Sequence, residues 1–169
     1  YRRKNTETLL RAMPLVRRHS PTASLRVVGD GPELPRLRSL ATTLALDDGC
    51  VTFVGSVGGR EAVQGELMDA DVFCLPSRQE GFGIVLLEAM AAGLPIVAAD
   101  AGATPEVAPH DEVALLVSPD DVDGLARALV SLLGDGSLRS RLSAAGARRW
   151  REYAWAKVAA RFLEAAGYD

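Results

Sequence analysis

Two kinds of hydrophobic pattern alternate along the chain. Short runs at 25–29, 51–55, 72–75, 96–99 and 114–117 are apolar on successive residues rather than alternating. Such runs mark strands buried on both faces, as in a parallel sheet. Between them, apolar positions recur at three- and four-residue spacing: Leu34, Leu37, Ala41 and Leu44, then Val122, Leu125, Leu129, Leu132 and Leu133. That is the stripe of a helix with one buried face. Repetition of strand and helix predicts an α/β fold, a Rossmann-like doubly wound parallel sheet with flanking helices. The last third reads as helical over 122–133, 137–149 and 154–166, with Asp120 or Asp121 capping the first of these. Pro14 falls inside a helix expected over 6–18 and should kink or end it.

Ligands of such sheets bind outside the carboxyl ends of the strands. The turns Gly29-Asp30-Gly31 and 76–83 both follow strands, so they should share one rim. The second begins the stretch PSRQEGFGIVLLEAMAAGLPIVAAD, 76–100, the most informative part of the chain. Gly81 and Gly83 remove side chains where backbone could approach a ligand. The helix starting near Gly83 offers unpaired amides at the positive end of its dipole, a site for phosphate. Glu88 lies about 7.5 Å along that helix and tilts back toward its N-terminus, where a carboxylate suits a ribose diol. Glu80, on the far side of the turn, faces the other end of a diphosphate. Because Glu88 interrupts the apolar run 84–92, it is expected to have a partner. Sugar, diphosphate and ribose together describe a nucleotide-sugar.

Composition narrows the alternatives. A length of 169 residues suits one domain with a full core. A net charge of −3 and 5% aromatic residues give no general attraction for nucleic acid and no platforms for stacking single strands. Cys50 and Cys74 fall in apolar runs and read as buried free thiols of a reducing compartment, the cytoplasm. His19 and His110 are far apart, so no metal site is expected. The segment 84–99 is too short and too interrupted for a membrane span and reads as helix followed by buried strand. Gly29-Asp30-Gly31 begins like a dinucleotide fingerprint but has Leu34 where the third glycine belongs. Asp69-Ala-Asp71 looks like a metal-binding DxD, yet it precedes a strand and reads as a helix end.

The order of motifs is familiar. Lys4-Asn5, Leu9-Leu10-x-Ala12, LRVVGDGP at 25–32, VTFVG at 51–55 and ADVFCLPS at 70–77 are followed by Glu80-x7-Glu88. Gly102-x-x-Pro-Glu106, 115–120 and Leu132-Leu133 complete the series. Over nearly its whole length the chain resembles the C-terminal, donor-binding domain of the retaining GT-B glycosyltransferases of group 1. The resemblance implies an active site in the cleft between two Rossmann-like domains, with the acceptor held mostly by the N-terminal one. It implies that Glu80 contacts donor-sugar hydroxyls and that Glu88 binds ribose. Gly81, Phe82, Gly83 and Ile84 would lie against sugar and phosphates, and Phe53 and Val54 would border the base. Gly29 and Gly31 belong to the same cofactor-type surface, and Lys4, with Glu80, is assigned to the reaction itself as the diphosphate's counter-charge.

The implied reaction is retaining transfer of a glycosyl group from a UDP- or GDP-sugar, without metal or further cofactor. The family's arginine five residues upstream of the lysine would fall before Tyr1, as would the first strand of the sheet and the N-terminal domain. The chain therefore resembles a piece of an enzyme of about twice its length, inactive alone, with any peripheral membrane contact left to the other half. Two departures stand out: Ala103 and Ala114 replace usual glycines, and Glu106 is assigned a structural role. An apolar stripe of Trp155, Val158, Phe162 and Leu163 is expected either to meet the N-terminal domain or to pack on its own sheet. A nucleotide-sugar-binding or regulatory module without transferase activity is the alternative; a GT-B epimerase fits the run from 76 to 98 less well.

Overall fold

A computed structural model describes residues 1–46, 49–153 and 157. A 3₁₀ turn, Arg2–Lys4, leads into α1 (Thr6–His19), then β1 (Leu25–Val28), α2 (Leu34–Thr43), β2 (Val51–Gly55) and α3 (Gly59–Met68). β3 (Phe73–Leu75), α4 (Ile84–Ala91), β4 (Ile96–Ala99), α5 (Thr104–Val107) and β5 (Ala114–Val117) follow. The described part closes with α6 (Val122–Gly134), α7 (Gly136–Arg149) and a 3₁₀ turn, Trp150–Tyr153. All five anticipated strands form and every strand pair among the described residues is parallel, but burial on both faces holds fully only for β4: Arg26 and Val28 of β1 and Thr52 of β2 are exposed. The helix expected over 154–166, with its stripe of Trp155, Val158, Phe162 and Leu163, lies outside the described residues.

The sheet is in two parts. β1 pairs with β2, and β3–β4–β5 form a second set with β4 central. β4 shows why its sequence does not alternate. All four of its residues are buried. Ile96 and Ala98 pack with Leu86 and Met90 of α4 and Val107 of α5. Val97 packs with Leu9 and Val16 of α1 and Leu125 and Leu129 of α6. A strand with helices on both faces needs apolar side chains in both directions.

Pro14 does not end its helix: α1 runs through it to His19. Burial of Leu9, Leu10, Ala12, Met13 and Val16 on α6 and α2 outweighs the ~3 kcal/mol cost of an internal proline. Of the two candidate caps of α6, Asp121 is the one used; its carboxylate accepts from the Gly124 amide at 2.8 Å. Asp69 caps the C-terminal end of α3. Among the described residues no cluster of metal-ligating side chains occurs, and no helix is long and apolar enough to cross a membrane.

Both cysteines are free. Cys50 is buried, whereas Cys74 is only partly so by surface, yet burial of its thiol pushes that group up to about 12. At pH 8 about one Cys74 in ten thousand would be thiolate, the reactive form. The folded chain is therefore expected to resist alkylation at Cys74 at pH 8 and to react fully in denaturant. Mass spectrometry showing rapid native labelling of Cys74 would contradict this.

Candidate functional site

Two loops and the N-terminal turn meet at the carboxyl ends of β1 and β3. The Arg78 amide donates to the Arg3 carbonyl at 2.8 Å, and the Tyr1 nitrogen lies 3.5 Å from where a Cβ on Gly31 would stand. The two glycine-containing turns thus share a rim, bridged by 1–4. On that rim Lys4 Nζ donates to Glu80 Oε2 at 2.6 Å. The Glu80 side chain is only 10% exposed and that of Lys4 36%.

Backbone contacts fix Glu80 from the neighbouring strand. The loop after β4 brings the Ala103 amide to the Glu80 carbonyl at 3.1 Å. Gly102, at φ +58°, lies so close that a Cβ would overlap that carbonyl oxygen and stand 2.9 Å from the Glu80 nitrogen. Ala103 has φ −80°, which any residue adopts, so the methyl where the family has a second glycine causes no strain. Ala114 is buried within β5 without conflict. Glu106 contributes its backbone, whose carbonyl accepts from Arg149 at 2.5 Å.

α4 opens at Gly83, whose φ of +76° reverses the chain into the helix. A Cβ there would stand 2.8 Å from Leu86 Cδ1 and 3.3 Å from Glu80 Cγ. The first amides of α4 have no partner within the helix, and the dipole makes that end attractive to an anion. The helix ends in a Schellman turn: Leu94 N bonds Ala89 O, Gly93 N bonds Met90 O, and Gly93 has φ +75°. Gly81, Phe82 and Ile84 are exposed beside this N-terminus; Phe82 is 47% and Ile84 67% exposed. The Phe82 ring meets Tyr153 edge-on, centroids 5.7 Å apart.

Glu88 corrects an expectation. It is exposed, and its side chain has no hydrogen bond or ion pair among the described residues. α4 turns its Leu86, Ala89 and Met90 face inward, and residue 88 falls on the opposite side, where water solvates the carboxylate. Farther along the rim, Gly29 (φ +113°) donates its amide to the Gly55 carbonyl at 2.7 Å. Phe53 of β2 packs toward Leu10, Met13 and Leu37, with the Arg38 guanidinium 4.9 Å from its ring centroid. Val54 is partly buried beside it.

A cavity of about 310 Å³ opens next to the site, lined by Tyr1, Asn5, Glu7, Glu33, Arg36 and Arg78 among others. Its charges are mutually satisfied: hydrogen bonds from Arg11 and then Arg36 hold the Glu7 carboxyl below its usual range, and Arg36 does the same for Glu33. Glu80, residues 81–84 and Glu88 do not line it.

Sequence reasoning did not find a polar network beside the site, which centres on a half-exposed Arg78–Asp120 pair. Asp120 accepts from Asn5 Nδ2 at 2.9 Å and from Arg78 Nε at 2.8 Å. The signal was present in Asp120-Asp121: one carboxylate suffices to cap α6, which leaves the other for a different task.

Residues 1–135 match the model of the family described as glycosyl transferases group 1. The chain is 39% identical, over 171 aligned residues, to a GDP-mannose-dependent alpha-(1-6)-phosphatidylinositol monomannoside mannosyltransferase of Mycobacterium tuberculosis, covering 96% of this chain and 44% of that protein. It is 42% identical to a phosphatidyl-myo-inositol mannosyltransferase of Mycobacterium leprae, covering 95% and 42%. The fold matches sucrose-phosphate synthase from Thermosynechococcus elongatus with a TM-score of 0.85 at 31% identity, covering 98% of this chain and 42% of that one. It also matches Anabaena Alr3699/HepE in complex with UDP, TM-score 0.85 at 24% identity, covering 99% and 46%. The chain spans less than half the length of the curated relatives it matches. Its fold is one half of the two-domain GT-B architecture, and the chain belongs to the group 1 glycosyltransferases.

Proposed function

We propose that this chain is the donor-binding half of a retaining glycosyltransferase and that its nucleotide-sugar is GDP-mannose. The observation that carries the reading is the Lys4–Glu80 pair at 2.6 Å, set at the glycine-lined N-terminus of α4. A diphosphate entering there meets a cation and a helix dipole, both of which stabilise charge on a leaving phosphate without a metal. Displaced from Lys4, the Glu80 carboxylate is free to accept from sugar hydroxyls. Glu88, exposed on α4 and without a partner among the described residues, is available to a ribose diol. Guanine is favoured over uracil by the 39% identity to the Mycobacterium tuberculosis mannosyltransferase, which is GDP-mannose-dependent.

The acceptor side belongs to an N-terminal domain of a longer polypeptide, and a strand preceding Tyr1 belongs between β1 and β3. The two-part sheet supports this: among the described residues β1 pairs only with β2 and β3 only with β4, and residues 1–4 bridge their carboxyl ends. Val28 of β1 is 42% exposed, unusual for an inner strand of such a sheet. The isolated chain is expected to show no transfer; turnover with any donor and acceptor would refute that.

Calorimetric titration with GDP, UDP and ADP tests the reading. GDP is expected to bind, and Glu88→Ala to weaken it about tenfold through loss of hydrogen bonds to a charged acceptor. A chain extended upstream through one strand should bind more tightly and melt higher. Failure of both chains to bind any of the three nucleotides would overturn the proposal.

A further inference from the structure

We propose that Asp120, in the loop between β5 and α6, is a positioning residue that holds Lys4 and Glu80 in place for the donor's diphosphate; this rests on the donor-site reading above. Asp120 touches neither Lys4 nor Glu80. It binds the residue after one and the residue two before the other. Asn5 Nδ2 donates to Asp120 Oδ1 at 2.9 Å. Arg78 donates through Nε to both carboxylate oxygens, at 2.8 and 3.1 Å, and its Nη2 lies 2.8 Å from Oδ1. Thr8 Oγ1 reaches Oδ1 at 3.5 Å and bonds Asn5 Oδ1 at 3.0 Å.

The choice of groups is informative. Asn5 is the residue before α1, a position where an asparagine ordinarily caps the helix with its own side chain. Here it makes no such cap bond, although it is only 3% exposed and adopts the left-handed φ of +54°. Its amide serves Asp120 instead. Asp120 itself sits at φ +69°, a conformation that glycine adopts freely and aspartate at some cost. With the adjacent Asp121 already capping α6, the Asp120 carboxylate is left for Asn5 and Arg78. The same two segments are tied by backbone, since the Arg78 amide donates to the Arg3 carbonyl. One carboxylate therefore pins both sides of the Lys4–Glu80 pair, and small displacements at such a site are costly.

Two measurements test this. In titrations of the chain, Asp120→Ala should lower the affinity for GDP about tenfold and leave guanosine monophosphate, which lacks the outer phosphate, little changed. Asp120→Asn, which keeps an acceptor for Asn5, should fall between. Asp120→Gly removes the backbone strain, so it should restore the melting temperature without restoring the ratio of GDP to monophosphate affinity. A wild-type ratio in the alanine or glycine variant overturns the assignment. Independently of any ligand, hydrogen exchange at the Arg78 amide should quicken about tenfold in Asp120→Ala relative to the core amides of β4. Unchanged exchange there also overturns it. Failure of both the wild-type chain and its upstream-extended form to bind GDP, UDP or ADP would overturn the donor reading instead, and the exchange result alone would then decide whether Asp120 pins the two segments.

Discussion

Gly102→Ala is expected to lower the melting temperature by roughly 5–15 °C and to reduce GDP affinity about a hundredfold. Gly102 has φ +58°, where a Cβ costs about 1–2 kcal/mol. That Cβ would overlap the Glu80 carbonyl oxygen and stand 3.1 Å from the carbonyl carbon. Neither atom is the end of a flexible side chain. Relief requires moving the backbone of 80 or of 102, at about 1–3 kcal/mol for overpacking. The sum is about 2–5 kcal/mol, and the movement falls on the residue paired with Lys4. Ala103→Gly is the control. Residue 103 has an ordinary φ of −80°, so the change should cost no more than ~1 kcal/mol and leave binding intact. Thermal denaturation and titration of the two variants side by side decide the matter. If Gly102→Ala melted within 2 °C of wild type, roughly what 1 kcal/mol produces, the contact would not be the constraint described.

What was legible in the sequence was whatever rests on local pattern. β2, β4 and β5 begin and end where their apolar runs do; β4, buried at every residue, has no polar interruption to blur its ends, and in β2 the exposed Thr52 interrupts the run only internally. The rim follows from topology, since parallel strands must all finish on one side. Pro14 was misleading because propensity is local while the burial of Leu10 and Met13 is not. Glu88 was misleading for a similar reason: an apolar run of nine residues reads as buried all round, yet α4 has one face in water. The split into two sheets is invisible to pattern, since pairing depends on which strands meet. Asp120 joins residues 115 and 42 positions away, a relation that no spacing rule contains.

Lys4→Ala and Glu80→Gln should move GDP affinity in opposite directions, although the two residues form one ion pair. Removing Lys4 takes away the cation that faces the diphosphate, a charge-assisted contact of about 1.5–3 kcal/mol, so affinity should fall roughly ten- to a hundredfold. It also leaves Glu80, with a side chain 10% exposed, without its partner, which destabilises the free chain as well. Glu80→Gln has the reverse logic. The Glu80 carboxylate occupies Lys4 at 2.6 Å, so a phosphate must displace it. A neutral glutamine competes less, and GDP should bind as well as before or better. The loss should show instead in the preference for GDP-mannose over GDP, because glutamine cannot accept from two hydroxyls as a carboxylate does. Lys4→Arg should recover only part of the GDP affinity, since a planar guanidinium does not replace a compact ammonium in a site shaped around one. Raising the salt concentration should weaken GDP binding to the wild type more than to Lys4→Ala. If Lys4→Ala bound GDP as tightly as wild type, the diphosphate would not lie at this pair, and α4 with its glycine turn would have to hold it alone.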